Sequence, residues 1–252
     1  VQVSTIEQSD GALNVFIGNG QGVVVGNQNS ALTAVVDPED PRKLDITLAA
    51  GGAVATITDA LVGGKIGGLN DFQNTVLDVA QNTIGQIAVG AAVQLNIQHR
   101  LGQDLNGNLG GDFFTEPTIF AGGNTNNTGG LAVSGTFGNT SNLTTSDYRL
   151  LATSATTFTL TRLDDNTVTN INTGGVSPFT STETDGFTLT LDSTVAAATG
   201  DSFLIQPTRQ AAGQINVALT TSAQIATALP IRAQTATNAN GLGTNIGDGA
   251  IN

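Results

Sequence analysis

The chain has 252 residues, enough for one large domain or two ordinary ones. Its net charge is −12 and its eight basic residues are scattered, which excludes nucleic acid or an anionic membrane surface as a partner. There is no Cys, so neither a disulfide framework nor a thiol site can form. No run of 18 apolar residues occurs, so no membrane insertion is expected. Charged residues make up 11% against 39% hydrophobic, and mean hydropathy is near zero. Solubility therefore falls to Asn, Gln, Ser and Thr together with the net acidity. Val1 is not an initiator, and VQVSTIEQ has neither a basic start nor an apolar run, so it reads as a cut within a longer protein rather than a signal peptide.

Val1 to Val62 reads as strands joined by tight turns. Leu13, Val15 and Ile17 alternate, and Gly18-Asn19-Gly20 turns the chain toward Gln21 to Val25. Leu32 to Val36 and Leu44 to Leu48 flank Asp37-Pro38-Glu39-Asp40-Pro41, where two prolines forbid a ladder. Val54 to Ile57 is a short strand. The glycine-rich joint Gly63 to Gly68 then leads into the one long helical pattern, about residues 69 to 100.

Within that pattern Leu77, Ala80, Ile84, Ala88, Ala91 and Leu95 recur at three and four. Phe72, Val76, Val79 and Ile87 form a second stripe beside the first. The combined face is wider than a surface helix needs to cover one sheet. Asn70 and Asp71 suit a first turn, and His99 and Arg100 a last one. Either β structure covers this face or its partners lie outside the chain. The expectation pursued is the second, with Phe72, Val76, Leu77, Ile84, Ile87, Ala88, Ala91 and Leu95 as a subunit-packing face; an ordinary core helix is the plain alternative.

Leu101 to Pro117 reads as an ordered loop anchored by Phe113 and Phe114. Ile119 to Thr145 is either a mobile connector or a set of weak edge strands. From Asp147 strand signals return at Tyr148–Leu151, Thr157–Thr161 and Thr167–Thr169, a meander with a turn at Asp164-Asp165-Asn166. Phe187, Leu189 and Leu191 point inward between Thr188 and Thr190, and Ser202 to Gln206 is a strand ended by Pro207. Ala211 to Leu219 is ambiguous between strand and short helix, and Ser222 to Leu229 reads as a turn or two of helix. The fold class is α+β, mainly β: a hairpin-rich segment with one long helix (1–118), a mostly antiparallel β domain (119–232) and a loose link (233–252).

Motifs that carry chemistry are weak. Asp104, Asn106 and Asn108 match the first three ligands of an EF-hand loop. Leu109 then stands where its glycine belongs and Thr115 where its glutamate belongs, so turn formation is the better reading. Gly18-Asn19-Gly20-Gln21-Gly22 lacks the Lys-Ser/Thr and following helix of a phosphate loop. His99, the only His, has no Cys or second His for zinc and no nucleophile elbow near it; a hydrogen-bonded packing role fits better. Carboxylates such as Glu183 and Asp185 lie in polar turns. No catalytic residue, cofactor or metal is expected.

Three linked stretches carry a resemblance. They are Gly11-Ala12-Leu13-Asn14-Val15-Phe16-Ile17-Gly18-Asn19-Gly20-Gln21, the helix entry Gly67-Gly68-Leu69-Asn70-Asp71-Phe72 after Pro41-Arg42-Lys43-Leu44-Asp45, and the exit Gln98-His99-Arg100 to Gly111-Asp112-Phe113-Phe114. This set, about residues 10 to 115, resembles the bacterial flagellar hook-associated protein 1 family of the hook–filament junction. A second, weaker match covers about residues 146 to 232, carried by Ser146-Asp147-Tyr148, Thr161-Arg162-Leu163, Gly186-Phe187 and Gly200-Asp201-Ser202-Phe203-Leu204-Ile205-Gln206-Pro207-Thr208-Arg209. The resemblance implies a secreted, extracellular structural subunit of the flagellum, passed through the flagellar type III route. It implies self-assembly in a ring or tubular layer, with hook protein and the adjoining junction protein as neighbours, and no catalytic residues. It further implies a central segment of such a protein, without the helical regions at both ends. A cell-surface adhesin or glycan-binding β module is the competing reading, since Thr- and Asn-rich strands serve both classes.

Overall fold

Alternation of apolar and polar side chains builds most of this fold. The computed structural model describes residues 1–193 and 195–228; the expected loose link at 233–252 lies outside them. The architecture is α+β and mainly β, with antiparallel sheets and one long helix. The chain divides into two compact units, Val1–Val93 with Glu116–Ile215, and Gln94–Thr115 with the described residues from Asn216 onward.

Among the described residues, the first unit holds every strand. β1 (Val3–Glu7), β2 (Leu13–Ile17), β3 (Gln21–Val25) and β4 (Gln28–Asn29) form a sheet in chain order. The β2–β3 register shifts between Val15 and Phe16, a bulge that leaves Val23 of β3 as the extra residue, while β2 pairs with β1 without a break. Leu13 is exposed, whereas Asn14 is buried and its Oδ1 accepts the Gly26 N–H at 2.8 Å. A second sheet joins β5 (Ala31–Val36), β6 (Leu44–Ala50) and β7 (Ala53–Thr56). The core shared by these strands is small: Ile17, Leu48, Ile57 and Leu61.

The later strands close a larger core. β8 (Phe120–Gly123), β10 (Tyr148–Ala152), β11 (Thr157–Arg162), β12 (Val168–Asn172) and β15 (Ser202–Gln206) form a sheet ordered β12-β11-β10-β15-β8. β9 (Ala132–Phe137), β13 (Phe179–Thr180) and β14 (Phe187–Asp192) form another, ordered β13-β14-β9. Leu150, Phe158, Leu160 and Ile205 of the first sheet meet Phe187, Leu189 and Leu191 of the second in one buried cluster. The residues 119 to 145, left open between connector and strands, form β8, β9 and a short 3₁₀ turn at Thr140–Asn142.

The helix begins earlier than its glycines suggest. α1 runs Gly64–Phe72, a π turn follows at Gln73–Leu77, and α2 runs Asp78–Arg100. The predicted joint at residues 63 to 68 is confined to Gly63 and Gly64, both at positive φ. Gly67 is already helical, and it must be Gly because a Cβ there would strike the Leu61 carbonyl and the Val62 backbone. Asn70 and Asp71 therefore lie inside α1, not at its start. Among the described residues no helix is long and apolar enough to cross a membrane.

In the second unit the end of α2 is held by side-chain to backbone bonds. Asn96, fully buried, accepts the Phe113 and Phe114 N–H groups at 2.9 Å each and donates to the Phe114 carbonyl at 2.8 Å. Ser222–Gln224 is a 3₁₀ turn with a Thr221/Gln224 capping box, and the ambiguous stretch 211–219 contributes the 3₁₀ turn Ala211–Gly213, which belongs to the first unit, and a lone antiparallel bridge from Val217 to Phe114.

Candidate functional site

A helix beside a β core ordinarily turns its apolar side inward. Here the order is reversed over most of α1 and α2. The buried positions are Gly67, Asp78, Asn82, Gly85, Val89, Ala92, Val93, Asn96 and His99, spaced mainly by three and four from Asp78 onward. Four of these are polar and three are Gly or Ala. Only Val89 and Val93 enter the large hydrophobic cluster.

The inward polar side chains are matched with care. Asp78 accepts from Lys43 Nζ at 2.6 Å and lies against Arg209 Nη1, which meets it by charge rather than by an aligned hydrogen bond. The other arm of Arg209 reaches Asp147 at 2.7 Å. Asp147 also accepts from Gln206 at 2.9 Å and from Asn82 at 3.3 Å, and Thr208 donates to Asn82 at 3.0 Å. Burial pushes the Asp147 carboxyl above its ordinary range, against the pull of Arg209, Gln206 and Asn82. Asp40 is held below the usual carboxylate range: burial alone would raise it, and Arg42, with two bonds at 2.8 Å, outweighs that. Gly85 lets the helix touch the bend just past β15, because a Cβ would overlap the Thr208 carbonyl oxygen.

The outward side is apolar. Leu69 is 69% exposed, Phe72 53%, Ile84 58% and Ile87 67%. Of the eight residues expected to form a packing face, Phe72, Val76, Leu77, Ile84, Ile87, Ala91 and Leu95 are exposed and Ala88 is half-buried. Between Phe72 and His99 the helix carries one charged residue, Asp78, and that residue faces inward. The inward polar stripe is what the sequence reading missed. Its signal was present in Asp78, Asn82, Gly85, Val89 and Asn96, but polar residues on a helix default to solvent.

The weaker motifs resolve into structural bonds. His99 is buried; its Nδ1 lies 2.7 Å from the Gly111 carbonyl and its Nε2 accepts the Ala226 N–H at 2.9 Å. That pattern fixes a neutral ring with the proton on Nδ1, and Phe113 meets the ring edge-on at 5.5 Å. Asp104 Oδ1 accepts the Asn106 and Asn108 N–H groups at 2.8 Å each, the geometry of an Asx turn. Gly18 to Gly20 is the hairpin turn between β2 and β3. Asp185 is engaged by Arg162 and by the Tyr148 hydroxyl at 2.8 Å.

Comparison with known proteins gives this geometry a family. Residues 1–114 match the model described as flagellar hook-associated protein FlgK helical domain, and residues 122–207 match that of flagellar hook-associated protein 1, D2-like domain. The chain is 32% identical over 247 residues to flagellar hook-associated protein 1 of Escherichia coli K12, covering 96% of this chain and 43% of that protein. The protein of the same name from Salmonella typhimurium is 31% identical over 240 residues, covering 90% of this chain and 41% of that one. The solved flagellar hook junction protein FlgK from Burkholderia pseudomallei is similar at a TM-score of 0.77 and 36% identity, over 89% of this chain and 41% of that chain. The chain thus spans about two fifths of the length of the relatives it matches. Both matched regions, the relatives and the shared fold agree, and the chain belongs to the flagellar hook-associated protein 1 family.

Proposed function

We propose that this chain is part of a structural subunit of the bacterial flagellum at the hook–filament junction, working by shape and packing rather than catalysis. The observation that carries the reading is the reversed helix. Its polar side is spent on the chain's own β structure, and its apolar side is left for long helices of the same family's full polypeptide. In the assembled layer those helices cover Phe72, Val76, Leu77, Ile84, Ile87, Ala88, Ala91 and Leu95, while the β regions project outward. The subunit is extracellular, exported by the flagellar route, and assembles with its own copies between hook protein and the adjoining junction protein. The adhesin reading gains no support, since the relatives named above are hook-associated proteins.

The test is a chimera. In an Escherichia coli strain lacking hook-associated protein 1, the matched segment of that protein is replaced by this chain. The expected outcome is filament growth on capped hooks and restored swimming. Export of an intact chimera that neither binds hooks nor permits filament growth would contradict the proposal.

A further inference from the structure

The outward face has a flaw in its period, and the flaw coincides with the π turn. Leu69, Phe72, Leu77, Ala80, Ile84, Ile87 and Ala91 are all exposed. Their successive steps are three, five, three, four, three and four. Without the step of five, this is the three-four alternation of a coiled-coil seam. The five falls between Phe72 and Leu77, across the π turn Gln73–Leu77. There the Asp78 N–H reaches back five residues to the Gln73 carbonyl.

An extra residue in an unbroken α-helix would rotate everything beyond it by about 100°, moving Leu77 to Ala91 off the line of Leu69 and Phe72. A π turn absorbs one extra residue within a single turn. With that residue taken up, Leu69, Leu77, Ile84 and Ala91 stand one heptad apart, and so do Phe72, Ala80 and Ile87. The seam then runs straight for about 33 Å at 1.5 Å per residue. Gln73–Leu77 contains neither Gly nor Pro, and its surface is open to solvent apart from the half-buried Gln73. Within the turn Thr75 Oγ1 donates to the Asp71 carbonyl at 2.7 Å, as Thr83 Oγ1 does to the Val79 carbonyl within α2.

We infer that the π turn is a phase-setting element that joins two apolar stretches into one heptad seam for a long partner helix. This rests on the function proposed above and narrows it. The occupant is a helix of heptad period from the family's longer polypeptide. Three observations favour it: the seam's period, the relatives' more than twofold greater length, and the matched region's description as a helical domain, to which the described residues contribute one long helix. The positions flanking the seam are uncharged, among them Gln73, Val76, Gln81 and Thr83. Shape, with the π turn as its marker, therefore sets the pairing register in place of charge pairs.

The test uses two length variants in the chimera. Deletion of Thr75 removes the extra residue and restores an unbroken three-four pattern, so the turn becomes α-helical and the seam stays straight. Insertion of one Ala after Thr75 adds a second extra residue that a single π turn cannot absorb. The expected result is filament assembly by the deletion variant within about twofold of the parent chimera, and at least a tenfold loss for the insertion. Melting of the isolated chain's β core should be the same in all three. Equal assembly by parent and insertion, or loss in the deletion variant as deep as in the insertion, would overturn the inference. A parent chimera that itself fails condemns the proposed function instead. In that case the loss of π-type backbone shifts in the deleted chain, read by NMR with the β core intact, still supports the phase-setting role, and their persistence overturns it.

Discussion

The two β regions of the first unit use the same alternating pattern to opposite ends. In the later region each inward residue finds a partner: Leu150, Phe187, Leu189, Leu191 and Ile205 are at most 1% exposed. In the earlier region the pattern is as apolar, yet Val3, Ile6, Leu13, Val36, Leu44 and Val54 remain exposed around a core of four buried residues. β5 carries no charge and every residue of it is exposed. A monomer gains nothing from such a surface, and unpaired apolar edges invite other chains. The later region is thus a self-sufficient body, while the earlier region and the helix beside it leave apolar surface exposed.

That contrast can be broken first at its strongest joint. Arg209→Ala would leave Asp78 and Asp147 buried without their shared cation, and urea unfolding should show a loss of about 3–5 kcal/mol. Leu150→Ala should lose about 2–5 kcal/mol in the same measurement, whereas Leu44→Ala should stay within about 0.5 kcal/mol. Similar losses for both leucines would erase the distinction between the two regions. Gly85→Ala should cost about 1–3 kcal/mol, because its methyl meets the Thr208 carbonyl backbone and not a side chain that could yield.

Acid sharpens the comparison further. The Asp201 carboxylate accepts three backbone N–H groups, from Thr128 at 2.9 Å, Gly129 at 3.0 Å and Ala198 at 2.8 Å. Burial would raise this carboxyl, but the three donors hold it below the usual carboxylate range. Its folded pKa being depressed, its contribution is present above about pH 4 and lost as pH falls through the folded value. Asp147 works in the opposite sense: with a raised folded pKa, its contribution is greatest below 3.8 and declines as pH rises through the folded value. Asp201→Asn should therefore flatten the acid limb of a melting-temperature profile, while an unchanged limb would show that the loop contributes nothing there.

Much of this was legible in the residues themselves. The Phe187-Leu189-Leu191 alternation and the apolar helix stripe each follow from period alone. The inward helix face was not, because the worth of Asp78 and Asn82 depends on Arg209 and Asp147, far away in sequence. β8 and β9 were obscured by glycines that read as turns. In the folded chain Gly122 sits under Phe120 and beside the Glu39 carbonyl, and Gly135 rests on Ile119, so their smallness is a packing requirement. The helix start was masked in the same way by Gly67. The π turn was written in the step of five from Phe72 to Leu77, which a search for a single period passes over.

The central claim is that the outward helix face serves an assembly partner and not this chain's own stability. The most direct test is the double substitution Ile84→Ser with Ile87→Ser, measured twice. In the isolated chain, urea unfolding should shift by no more than about 1 kcal/mol in all, as exposed positions allow. In the chimera, filament assembly should be abolished. A chain destabilised as deeply as by Leu150→Ala, or a chimera that still assembles like its parent, would contradict it.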